Sequence, residues 1–188
     1  MAWRLFLRGL RRATLALPLA VLLHPGNGHA QGISALDNPE TDSGWQVDPR
    51  GMRHFTGLSC PDNLGRMSRV KILSSQLDRI AGCVYLSPEG IAAVIRSHPK
   101  GAGTQAQASF AERFSQAGFT LVDGEGPAAS GVTFRIGGAR EGMRSETLWR
   151  FDGAQMDYTL WMAYTLPLQG ALVGPILQAF IEEAASQK

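Results

Sequence analysis

The stretch MRSETLWRFDGAQMDYTLWMAYTL, residues 143–166, decides the fold class. Asp152-Gly153 at its centre is the strongest hairpin-turn signal in the chain. After it, Met156, Tyr158, Leu160, Met162, Tyr164 and Leu166 alternate with Asp157, Thr159 and Thr165, the period of a strand with one apolar face. A two-residue loop predicts Phe151 opposite Ala154, Trp149 opposite Met156, Thr147 opposite Tyr158 and Arg144 opposite Trp161. A one-residue slip would set Trp149 against Asp157 and mix the faces.

Outward from this hairpin the same patterning continues. Residues 69–73, 82–86 and 91–96 read as strands, the last two joined by Ser87-Pro88-Glu89-Gly90, which suits a type I turn. Thr104 and Gln107 fit a capping box. Ala106, Phe110, Phe114 and Ala117 then recur at helical spacing, and Gly118 suits a left-handed stop. Residues 119–122 and 132–136 read as strands, with Val132, Phe134 and Ile136 on one side. Gly174-Pro175 suits the start of a last helix, with Pro at its first position. Ile176, Leu177, Phe180, Ile181 and Ala184 form its apolar face. Runs of strands closed by helices predict an α+β domain: an antiparallel sheet of hairpins and a meander with two amphipathic helices packed on one face. QASFAER at 107–113 faintly echoes LQAFIEE at 177–183, which raises an ancient duplication.

The N-terminus reads as an export signal. Arg4, Arg8, Arg11 and Arg12 precede an apolar stretch of eleven residues, Ala13 to Leu23, and Gly28-His29-Ala30 supplies small residues at −3 and −1 of a cleavage site. Eleven residues fall short of the roughly twenty that cross a bilayer. No cysteine lies near the cut to take a lipid anchor. Arg11-Arg12 leaves the twin-arginine route open beside the general one. The expected organisation is a signal peptide over 1–30, a loosely ordered lead-in over 31–54 that Trp45 and Val47 can dock, and a single α+β domain over 55–188. Four of the 18 basic residues fall in the leader, which leaves 14 against 16 acidic ones, a net charge of −2. Such a balance gives no case for nucleic acid.

Cys60 and Cys83 are the only cysteines. In an oxidising compartment a lone pair of this kind normally bridges. Free buried thiols, or a Cys60 nucleophile with His54, are the alternatives. The segment Arg53-His54, Gly57-Leu58-Ser59-Cys60-Pro61, then Gly82-Cys83-Val84-Tyr85 and an apolar strand ending in Arg96 resembles a group of small exported proteobacterial proteins. Their pattern is GLSCP followed about twenty residues later by a GCGY-like segment. Val84 departs from it, standing where that group favours a small residue. The resemblance covers mainly residues 53–96. It implies export and a paired Cys60 and Cys83, and no catalytic activity.

Candidate chemistry is sparse. Gly101-Ala102-Gly103-Thr104-Gln105-Ala106 fits G-x-G-x-x-A formally, with Asp123 at a suitable distance, but His98-Pro99-Lys100 intervenes and alternating strand and helix units are missing. The weaker reading is an anion-binding loop, in which His98, Lys100 and the N–H groups of Gly101, Gly103 and Thr104 receive a negative charge at a helix start. Arg135, Arg140, Arg144 and Arg150, interleaved with Glu141 and Glu146, read as a solvated sheet face. In the expected register Arg144 meets Trp161, so Arg144, Arg150 and Trp161 could form a partner surface with a cation–π contact. His54 and His98 lack zinc-site spacing, and no catalytic or cofactor motif is present.

The sequence thus points to an exported, non-catalytic binding or envelope-accessory domain with no cofactor and no metal. Its partner would be an envelope protein or a small ligand, without stable membrane insertion after cleavage. A small periplasmic hydrolase is the alternative. Intact mass of protein recovered from the periplasm is expected to place the N-terminus at Gln31, within a residue or two. Full-length chain in the membrane fraction would contradict it.

Overall fold

The structure is a computed structural model, and it describes residues 44–73, 80–136 and 142–187. The expected signal peptide and its cleavage site, the first part of the lead-in, Arg140 and Glu141 lie outside the described residues.

Among the described residues the fold contains eleven strands, two α-helices and a short 3₁₀ turn at Gly126–Ser130. Strands β1 (Trp45–Asp48), β2 (Gly51–His54) and β3 (Ser59–Pro61) form a small antiparallel sheet. The large sheet contains β4 (Asn63–Leu64), β5 (Met67–Leu73), β6 (Gly82–Leu86), β7 (Ala92–Pro99), β8 (Thr120–Val122), β9 (Val132–Ile136), β10 (Met143–Asp152) and β11 (Met156–Leu166). Helix α1 (Gly103–Gln116) follows β7, and helix α2 (Gly170–Ser186) follows β11. The large sheet runs β4-β5-β6-β7-β11-β10-β9-β8, antiparallel throughout. The fold is α+β, as the strand and helix pattern predicts. Two four-strand meanders meet at the β7–β11 seam.

The helices, however, lie on opposite faces of the sheet. Phe110 of α1 packs with Phe134 and Leu148, while Val173, Ile176, Leu177 and Phe180 of α2 pack with Trp149, Leu160 and Met162. Leu148 and Trp149 are neighbours in one strand and so point to opposite faces. The expectation of one covered face fails because the face of β10 and β11 that carries Glu146, Asp157 and Thr159 looks solvated by composition but is covered. Glu146, Asp157 and Thr159 on that face are buried, and so is Thr147 on the other. Each has a partner: Thr147 bonds Thr133 and Tyr164 through hydroxyls at 2.9 and 2.7 Å, and the others are bonded at the site described below. The two halves share an order of elements, but a rotation that superposes their meanders would leave both helices on one face. The echo between residues 107–113 and 177–183 therefore has no counterpart in the placement of the helices.

The β10–β11 register also differs from the two-residue loop. Trp149 lies opposite Leu160 rather than Met156, and Arg144 lies opposite Thr165 rather than Trp161. A type I′ turn would need positive φ at Gly153, and Gly153 is not among the glycines with positive φ. Its lack of a side chain serves close packing instead: a Cβ there would lie 2.5 Å from the Met156 carbonyl oxygen and 2.7 Å from the Tyr158 ring. The loop is longer and the register moves four residues along β11. Four is even, so every side chain keeps its predicted face.

Other boundaries shift for local reasons. Within the lead-in, the Trp45 indole is fully buried and donates to the Leu73 carbonyl at 3.1 Å, whereas Val47 is 80% exposed and anchors nothing. Helix α2 begins at Gly170 and contains Pro175, rather than starting beside it. Gln169 fixes that start: its Oε1 accepts from Thr165 N and its Nε2 donates to the Glu89 carbonyl, both at 2.6 Å. The Ser87–Gly90 turn forms as expected, with Gly90 N donating to the Ser87 carbonyl at 3.0 Å.

The disulfide joins Cys60 on β3 to Cys83 on β6, with Cα atoms 6.3 Å apart and a sequence separation of 23. Both cysteines are fully buried. The bridge therefore ties the small sheet to the large one, and Tyr85 repeats the tie by donating to the Pro61 carbonyl at 3.0 Å. Gln187 at the end of α2 adds a third link, accepting from Ser59 N at 2.6 Å. Closing a loop of this length contributes about 3 kcal/mol in the chain-entropy account. Cys60→Ser and Cys83→Ser are each expected to lose about that much in thermal unfolding, and the double variant no more than either alone. Non-reducing peptide mapping checks the bridge itself, and two free thiols would refute it.

Candidate functional site

Helix α1 does not lie flush on the sheet. Between it and strands β7, β10 and β11 runs an open cleft of about 980 Å³. Its floor follows from register. Gly82, Arg96, Thr159 and Arg150 form one rung across the face, and Val84, Val94, Trp161 and Leu148 form the next. Within the cleft, Val94, Trp161, Leu148 and Phe110 supply apolar surface, and Arg96, His98 and Thr159 are the polar groups of the floor. Ala102, Gln105, Ala106 and Ser109 of α1 and the residues before it line the opposite wall, with Glu112 and Arg113 also on the helix.

The wall is held by a carboxylate inside the sheet. Asp157 Oδ2 accepts from Gly101 N at 2.9 Å and Gly103 N at 3.0 Å, and Lys100 Nζ lies 3.2 Å from Oδ1. These residues meet for three reasons. Gly101 takes φ +87, a conformation that favours glycine. Gly103 has no side chain where a Cβ would come 2.9 Å from Asp157 Cβ. Asp157 pairs with His98 at the end of β7, one turn before the helix. The expected capping box does not form: Ala102 is the N-cap, without a side-chain hydrogen bond, and Gln107 reaches the Leu148 carbonyl instead. Asp157 supplies the negative charge a helix start favours.

Every residue of the predicted anion loop is thus brought to β10–β11. His98 Nε2 bonds Thr159 Oγ1 at 2.8 Å, Lys100 also donates to the Gly153 carbonyl at 2.7 Å, and Arg150 donates to Thr104 Oγ1. The anion at this loop is the protein's own Asp157. Its carboxyl is held below the ordinary range, first by the Gly103 N–H, then by Lys100 and the Gly101 N–H, against an opposing effect of burial.

The other predicted cluster is not brought together. Arg144, Arg150 and Trp161 share one face, but six residues along β10 separate the two arginines by about 20 Å. The register puts Thr165, not Trp161, opposite Arg144, so the proposed cation–π pair is absent. Trp161 Nε1 instead donates to Glu146 Oε2 at 2.9 Å, and Arg144 Nε lies 3.8 Å from Glu146 Oε1. Burial pushes the Glu146 carboxyl up, while the Trp161 bond and Arg144 pull it down.

No protein-family model, curated protein or solved structure matches the chain. Among the described residues no group of three or more His, Cys, Asp or Glu side chains is placed to hold a metal ion. The sequence did not single out Arg96, Thr159 or Asp157. One signal for Asp157 was available: aspartate is depleted in strand interiors, and this one stands in the middle of an otherwise strand-forming run.

The Asp157 clamp has a definite pH dependence. Its folded-state pKa is depressed, so its contribution is complete above the unfolded carboxylate value of about 3.9 and is lost as pH falls through the folded value. Asp157→Asn is expected to cost about 1–2 kcal/mol at pH 7, because two N–H groups and an ammonium lose their anion. The difference from the parent should shrink as the unfolding midpoints are followed below pH 4. A constant difference across that range would show that the carboxylate charge does not hold the loop.

Proposed function

We propose that this chain is an exported, disulfide-stapled binding domain whose ligand enters the cleft between α1 and the central strands. The carrying observation is the cleft itself: about 980 Å³ of space whose floor sets the apolar surface of Val94, Leu148 and Trp161 beside the polar groups of Arg96, His98 and Thr159, a combination that small-ligand sites use. Three further features support the reading. The N-terminus carries the full three-part export pattern. A bridged cysteine pair fits an oxidising compartment, and the GLSCP segment and Gly82-Cys83 resemble those of small exported proteins. No helix among the described residues is long and apolar enough to cross a membrane.

A binding role fits better than an envelope docking surface. The exposed large apolar side chains, among them Val47, Phe55, Leu121 and Leu168, come from separate strands and loops. The hydrolase alternative would rest on His98 and Thr159, an imidazole and a hydroxyl 2.8 Å apart in the cleft. Both are covered, at 6% and 4% exposure, which disfavours attack on a substrate.

Ala106 lines the helical wall, half-buried, so a bulky side chain there fills the cleft from outside the sheet core. The folded protein is expected to bind anilinonaphthalene sulfonate at one site, and Ala106→Trp to abolish that binding while leaving the unfolding midpoint within a few degrees. Binding that survives Ala106→Trp would place the ligand elsewhere. Turnover of a p-nitrophenyl ester that is lost in His98→Ala would replace the binding reading with the hydrolytic one.

A further inference from the structure

Within the cleft, one side chain has no assigned work. Arg96 projects from β7 into the floor and is half-buried, yet it makes no ion pair and no side-chain hydrogen bond among the described residues. The other described arginines near α1 are engaged: Arg150 with Thr104 and Asp152, and Arg113 with the Ser109 carbonyl. A half-buried guanidinium is usually paired, because desolvating a charge without a partner is costly.

The sheet makes room for this arginine. Gly82 pairs with Arg96 across the β6–β7 ladder, and a Cβ at Gly82 would lie 2.9 Å from Arg96 Cγ. The stem of Arg96 therefore lies over the glycine that precedes Cys83. Next to it on the floor are Thr159, one strand away on the same rung, and the apolar surface of Val94 and Trp161 one rung further. The floor thus presents a forked cation at one end and an apolar strip at the other. Glu112, the one carboxylate among the described lining residues, is exposed on the outer helix and accepts from Gln116 at 3.1 Å.

We infer that the ligand is a small amphipathic carboxylate, its anionic head on Arg96 and its apolar body along Val94 and Trp161. This rests on the cleft being the binding site. Charge complementarity selects the occupant: a guanidinium offers two parallel N–H donors that match a carboxylate, while the strip beyond it rewards only apolar surface. An uncharged or cationic ligand of the same shape would leave Arg96 desolvated and unpaired.

Calorimetric titration with octanoate, 1-octanol and octylammonium tests this on the full chain as isolated. Octanoate is expected to bind most tightly, by about tenfold or more over the alcohol, with no detectable binding of the ammonium. Arg96→Gln should erase the preference for octanoate over octanol while the alcohol affinity stays within about twofold. Gly82→Ala, which crowds the stem, should weaken octanoate without affecting octanol. Ala106→Trp should remove all binding. Equal affinities for octanoate and octanol, or a preference that survives Arg96→Gln, would overturn the carboxylate while leaving the cleft as the site. Binding of all three probes unchanged by Ala106→Trp would overturn the cleft itself. A dimer that Ala106→Trp dissolves would assign the cleft to a second copy of the chain and overturn the inference.

Discussion

The carboxylate of Asp157 bonds two backbone N–H groups at the start of α1 and faces the ammonium of Lys100, and the position of the helix over the sheet depends on it. Helix α1 has a modest apolar contact with the sheet, centred on Phe110, Phe114, Phe134 and Leu148 at one end. At its other end polar groups hold it: Asp157 under the first turn, Arg150 on Thr104, and His98 on Thr159 just before it. A helix packed along its whole length would close the face. Anchored in this way, apolar at one end and polar at the other, it stands off the sheet and leaves the space that Arg96, Val94 and Trp161 line.

The opposite face is built differently. There the small sheet and α2 cover β7, β10 and β11 with a continuous apolar core that includes Trp45, Tyr85, Trp149, Ile176 and Phe180. Tyr85 and Phe180 meet edge-on with ring centres 5.3 Å apart. Cys60–Cys83 crosses from one sheet to the other within this core. Gly82 and Cys83 are consecutive on β6, so the strand that carries the covalent staple on one face also seats the Arg96 stem on the other. Stability and site share a strand, and the rigid face supports the open one.

Much of this was legible from sequence, for identifiable reasons. Alternation across 143–166 located the central hairpin and sorted its side chains correctly, since faces survive any even change of register. The Ser87–Gly90 turn was readable because it is a local signal, and the cysteine pairing because bridging is the usual fate of two cysteines in an oxidising compartment. The helix placement was not, because Glu146, Asp157 and Thr159 look like solvent-facing residues until their partners are known. Those partners, Trp161, Gly101, Gly103 and His98, are distant in sequence or on other strands. The loop at His98–Thr104 carries the glycines and the lysine of a site for negative charge, but periodicity cannot show that Asp157 supplies that charge from within the sheet. In the sequence Arg96 is only the last residue of an apolar strand. Its isolation is a property of the whole face, visible only once the rung Gly82–Arg96–Thr159–Arg150 is assembled.

The central claim is that the open face of the sheet holds an apolar-bodied carboxylate between α1 and β7–β11. Intermolecular nuclear Overhauser effects in the complex with octanoate test it most directly. Contacts from the octyl chain to the Val94 methyls and the Trp161 indole are expected. Contacts instead to Val47, Phe55 or Leu168, which are exposed apolar residues away from the cleft lining, would contradict it.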